Sequence, residues 1–133
     1  MMVLAHTAAG AAIGHLAPSA GSAAAVAFVA HGLLDLPRHE DPTMAQEAML
    51  TGASLVSAAT LFGLNSKEFW GAFSCAAPDL EHAIPMLRRR RRLYPTHRFP
   101  RLHNLLPTPR ISLSGQVAAS VVILSLVARA ARR

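Results

Sequence analysis

Two pairs of a histidine and a carboxylate stand at helical spacing in this chain. His31 and Asp35 in HGLLD are four apart, and Asp79 and His82 in PDLEH are three apart. On a helix either spacing points both side chains the same way. Imidazole nitrogen and carboxylate oxygen are the donors that zinc, manganese and iron accept. With His6 and one or two later histidines, the pairs amount to ligands for one or two such ions. Each pair also has a plainer use. His31 and Asp35 would make a simple hydrogen bond, and Pro78, Asp79 and Glu81 would suit the first turn of a helix, where proline is tolerated and negative charge favoured.

Donors so far apart in sequence need elements that bring them together, and the composition says which kind. Of 133 residues, 52% are apolar and 15% charged, well below the roughly 25% charged residues of soluble domains. The length fits one domain, residues 1–133, and the balance leans toward a membrane protein. Apolar runs from Val3 to Ala17 and from Ala20 to Leu36 each stop at a proline. They are short of the ~20 residues that cross a bilayer and read best as a helical hairpin. The start of the chain lacks the positive region of a signal peptide and carries two histidines, so it reads as a retained helix.

A third helix opens near Thr43, with Gln46 as its capping-box partner, and runs to about Leu64. Asn65 and Glu68 repeat that signal ahead of KEFWGAFSCAA, a fourth helix with aromatic residues at its start. Residues 88–110 hold four prolines and read as a long basic loop. Residues 111–128 carry no charge and form the clearest membrane helix. The expected fold is therefore all-α, an integral membrane bundle of four to five short helices with a long basic loop. Small residues four apart, Gly10 with Gly14 and Ala23 with Ala27, would let helix backbones approach closely.

Threading these segments up and down places the start of the first helix, the end of the second, the start of the third, the end of the fourth and the start of the last on one face. His6, His31, Asp35, His39, Asp79, His82, His97 and His103 gather there. His15 falls on the other.

The chain's charge of +6 comes from twelve arginines and one lysine, and five of the arginines are consecutive, Arg88 to Arg92. Nine arginines on the site face set that face in the cytoplasm by the positive-inside rule. The same cluster would attract anionic lipid headgroups or phosphates. Nucleic acid is a poor fit, because Tyr94 is the only aromatic residue near the run. Cys75 is the only cysteine, which excludes an intramolecular disulfide and a thiolate zinc site. No serine nucleophile motif or glycine-rich phosphate loop is present.

The stretches AHTAAGAAIGH, AFVAHGLLDLPRHED, APDLEH and YPTHRFPRLHN resemble the small bacterial inner-membrane proteins of the membrane-bound metal-dependent hydrolase-like family, which are distantly similar to zinc-dependent phospholipase C and P1 nuclease. The resemblance covers most of the chain up to Asn104. It implies a divalent metal, zinc first, on His6, His31, Asp35, Asp79, His82 and His97. The expectation is a multi-pass inner-membrane hydrolase acting on a phosphoester or lipid-linked substrate. Glu81 would be the general base, and Arg98, Arg101 and His103 would meet the phosphate. The competing reading is a non-enzymatic membrane scaffold or metal-binding protein.

Overall fold

The computed structural model describes residues 3–80, 94–99, 102 and 104–133, and these are mostly helical. The elements are α1 (Val3–Leu16), α2 (Ala20–Leu34), β1 (Pro37–His39), α3 (Met44–Phe62), α4 (Lys67–Ala76), a single 3-10 turn (Ala77–Asp79), α5 (Pro95–Arg98), β2 (Leu106–Ile111) and α6 (Leu113–Ala130). Among the described residues the fold is all-α apart from one short parallel pair, β1 with β2.

Side-chain caps explain most of the helix starts. The Ser19 and Thr43 side chains accept from the backbone N–H groups of Ser22 and Gln46, and both complete capping boxes. Ser66, one residue beyond the expected Asn65, caps α4 by accepting from Phe69 N–H. Ser112 caps α6 through Gly115 N–H, so that helix starts at Leu113 and not at residue 111. At the end of α3, Gly63 has a φ of 80°, a conformation that favours glycine, and the helix stops at Phe62.

The region read as an unstructured loop, 88–110, contains α5 and β2 among its described residues. Proline did not prevent the strand, because β2 is a two-strand edge with few ladder bonds to lose. Leu106 N–H donates to Leu36 O, and Glu40 N–H donates to Ile111 O. Two further bonds tie β1 down: His39 N–H donates to Asn104 Oδ1 and Arg38 N–H to Thr108 Oγ1.

α1 is the central helix and packs on α4, α6, α2 and α3. Where it crosses α4, Gly10 faces Gly71, and a Cβ on either would strike the other's carbonyl oxygen. Gly14 meets Lys67 in the same way. The GxxxG spacing therefore brings two backbones into direct contact, as small residues do where helices pack closely. Ala8, Ala11, Ala58, Ala72, Leu124 and Val127 fill the interior beside this crossing.

The distribution of polarity is inverted relative to a water-soluble bundle. α3 buries Glu47, Thr51 and Ser54, and α6 buries Gln116 and Ser120. Outward lie Val29, Leu33, Met49, Val56, Val122 and Leu126, each more than half exposed. The buried hydroxyls are satisfied locally: Thr51 donates to Glu47 O, Ser54 to Thr51 O, Thr7 to Val3 O and Ser120 to Gln116 O. Among the described residues one helix, α6, is long and apolar enough to cross a membrane, with a mean hydropathy of 1.6. Only 28% of it is buried, so it is not the core helix of the fold.

Candidate metal centre

Four separate stretches of sequence deliver side chains to one buried point. His6 comes from the second turn of α1, His31 from the last turn of α2, and Asp35 from its C-cap. Asp79 ends the 3-10 turn that extends α4, and His97 lies in α5. His6, His31 and Asp35 are fully buried, and Asp79 and His97 are nearly so.

The hydrogen bonds decide which atoms face inward. His31 Nδ1 lies 2.7 Å from the carbonyl oxygen of Cys75. A carbonyl only accepts, so Nδ1 carries the proton and Nε2 is left as a donor of its lone pair. His6 Nδ1 donates to Asp79 Oδ2 at 2.6 Å, which turns His6 Nε2 inward as well. That atom is buried and has no hydrogen-bond partner among the described residues.

Around the point, His31 Nε2 is 3.3 Å from Asp35 Oδ2, 3.8 Å from Asp79 Oδ1 and 3.3 Å from His97 Nε2. His97 Nε2 is 3.7 Å from Asp35 Oδ2 and 3.5 Å from Asp79 Oδ1. His6 Nε2 is 3.4 Å from Asp35 Oδ1. A tetrahedron of ligands about 2.0 Å from an ion has edges of about 3.3 Å. The observed separations lie at or slightly above that value, so the donors surround a space of ionic size.

His6, His31 and Asp79 form one group that could hold a metal, and His31, Asp35 and His97 form a second. Both use His31, whose Nε2 has one lone pair and serves one ion. The two groups are therefore halves of one centre. Its two carboxylates would balance a divalent charge, and its donors are all nitrogen or oxygen.

Both carboxylates are held ionised. Burial alone would raise the Asp35 carboxyl, but the imidazoles of His31 and His6 beside it outweigh that and take the group below the usual carboxylate range. Burial also opposes ionisation of Asp79, and the charge and hydrogen bond of His6, with His97, overcome it in the same direction. Without a cation, two buried carboxylates must be balanced by imidazole protons alone, and buried charge is costly unless paired.

A second set of contacts supports the donors. Thr96 Oγ1 donates to Asp35 Oδ2 at 2.8 Å. The Tyr94 ring meets the His31 ring edge to face at 4.7 Å, and Asn104 N–H donates to Asp35 O. Asn104 holds a φ of 59°, which asparagine tolerates better than most residues.

Of the residues singled out in the sequence, His6, His31, Asp35, Asp79 and His97 meet here. Arg98 is exposed, with its guanidinium over the Phe99 ring. Glu81, His82, Arg101 and His103 lie outside the described residues. His39 is apart from the cage: its Nδ1 donates to Pro37 O, and its Nε2 lies 3.1 Å from Asp41 Oδ1. His15 is at the other end of α1, paired with Glu68 at 3.1 Å. Tyr94, Thr96 and the Cys75 carbonyl were not foreseen. Only Thr96 had a signal, as the hydroxyl next to His97 in PTHR.

The class defined by fold and site is an all-α protein with a buried histidine and aspartate cluster able to hold a metal ion. Compared with protein families, with curated proteins and with solved structures, the chain matches none.

Proposed function

We propose that this chain is a membrane-bound metal-dependent hydrolase whose single divalent ion, zinc first, is held by His31, Asp35, Asp79 and His97 with His6. The observation that carries the reading is the convergence of imidazole nitrogens and carboxylate oxygens at 3.3–3.8 Å, with no hydrogen-bond partner for His6 Nε2 among the described residues. In such a centre the ion polarises a phosphoryl or carbonyl oxygen and makes water a better nucleophile at neutral pH.

The chain's own residues would do the rest. The Cys75 carbonyl and Asp79 fix the tautomers of His31 and His6, and Thr96 orients Asp35. Arg98, on the exposed side of α5, would meet the phosphate of a lipid-linked or other phosphoester substrate, together with Arg101 and His103. Glu81 would take the proton from water.

The membrane assignment rests on the inverted polarity of the bundle and on α6. Outward Val, Leu and Met side chains would contact lipid, while buried Thr, Ser and Gln hydrogen-bond within the protein, as a bilayer requires. The basic segment would face the cytoplasm, as the positive-inside rule directs.

One observation favours a second reading. Four or five protein donors, with His31 and Asp35 fully buried, match a closed structural site better than a catalytic one with an open position. Purification in detergent, elemental analysis and a lipid phosphodiester assay separate the two. Stoichiometric metal with metal-dependent turnover supports the hydrolase; metal without turnover supports the structural site; no metal overturns both.

A further inference from the structure

We infer that Tyr94 is a positioning residue for the metal centre: its hydroxyl locks the YPTH segment onto α2 and so fixes His97 and Thr96 against the cage. The inference rests on the metal reading above and adds a residue that touches no ion.

The hydroxyl occupies an uncommon place. Tyr94 Oη donates to Phe28 O at 2.7 Å and accepts from Gly32 N–H at 3.1 Å. Phe28 and Gly32 are four residues apart on α2, the pair of backbone groups that a helix joins directly. The phenol is thus tied to the side of the helix at both groups. It is tied there in the turn that carries His31 and one turn before Asp35.

Three neighbouring features serve the same junction. Gly32 leaves room for the hydroxyl, since a Cβ there would lie 3.3 Å from Tyr94 Oη and 3.6 Å from Thr96 Cγ2. The Tyr94 ring packs edge to face on both Phe28 and His31, at 5.2 and 4.7 Å. Pro95 begins α5 directly after Tyr94, so the chain is short and stiff between the anchored phenol and the residues it delivers. Tyr94 is itself buried.

His97 lies on a short element that continues no longer helix among the described residues, whereas the 3-10 turn of Asp79 extends α4. α5 has four residues, too few to be stable alone. α2 and α4 hold their donors through extensive helix packing, whereas α5 depends on its docking. Loss of the hydroxyl should therefore act mainly through His97.

The test uses the full chain in detergent micelles, with Co²⁺ as a spectroscopic probe and circular dichroism for fold. Tyr94→Phe keeps the ring and removes both hydrogen bonds. Gly32→Ala favours the helix but crowds the hydroxyl from the other side. Both variants should bind Co²⁺ about 10–100-fold more weakly, the usual effect of losing support behind a ligand. Their visible spectra should shift toward that of His97→Ala with helix content unchanged.

Wild-type affinity and spectrum in either folded variant would overturn the inference while leaving the metal centre standing. Failure of the wild type to bind Co²⁺ would overturn both. If Tyr94→Phe does not fold, Gly32→Ala, which raises intrinsic helix propensity, gives the deciding result.

Discussion

His31 and Asp35 are one helical turn apart, and their facing atoms, Nε2 and Oδ2, are 3.3 Å from each other. Both face the same space as Asp79 and His97, residues more than forty positions further along the chain. A simple pair would satisfy itself; here His31 also faces Asp79 and His97, and Asp35 also faces His6 and His97.

Removal of His31 or Asp79 should abolish metal binding. His31→Ala takes away the nitrogen common to both halves of the centre, and Asp79→Ala removes an oxygen and the partner of His6. Elemental analysis of purified protein should fall from about one ion per chain to near none in both, on the ligand logic of structural metal sites. Retention of a full equivalent in either variant would sink the assignment.

The two carboxylates should make the fold acid-sensitive in a defined direction. Each has a native pKa below its ordinary value of 3.8, so the folded state binds fewer protons than the unfolded one. Their contribution is fully present above that value and is lost as pH falls through the lower native values. Metal should leave earlier, as protons compete with the ion for its imidazole ligands. Thermal melts and metal release measured across pH should show two separate transitions; a single shared one would contradict this.

At the crossing of α1 and α4, Gly10→Val and Gly71→Ala should both be destabilising, by about 1–3 kcal/mol or more, the usual range for overpacking. Each new side chain would meet backbone, which cannot rotate away. Gly52, whose Cβ would meet nothing within 4 Å, is the control. Gly52→Ala in α3 should be neutral or stabilising by up to about 1 kcal/mol. Equal melting temperatures for all three variants would remove the crossing from the account.

Orientation can be read with a single new thiol. Cys75 is buried, so Pro109→Cys on the exposed strand β2 should be the sole reactive position. A membrane-impermeant maleimide should label it in inverted vesicles and leave it unlabelled in intact cells, as expected if the basic segment is cytoplasmic. Labelling from outside would reverse the proposed topology.

Much of the site could be read from residue types because the helices alternate in direction. Proline and capping residues marked the helix ends, and the ends of α1, α2 and α4 carry the donors. Interactions made by backbone were less visible. No residue type announces that the Cys75 carbonyl will hold His31, or that Leu36 will pair with Leu106.

Tyr94 was passed over because a lone aromatic residue among arginines has no periodicity to place it. Gly71 did leave a trace. With Cys75 it repeats the four-residue spacing of Gly10 and Gly14, though Ala23 and Ala27 in α2 share that spacing, so it does not single out α4.

The glycine crossing also bears on which ion would fit. Gly10 abuts Gly71 and Cys75; His6 lies one turn to one side of it, and the Cys75 carbonyl holds His31. The spacing of these two histidines is therefore tied to a contact of main chain against main chain, with the Cys75 Cβ beside it. Selectivity for ionic radius would be set by that backbone contact, so altering a glycine that ligates nothing would change which cation is preferred.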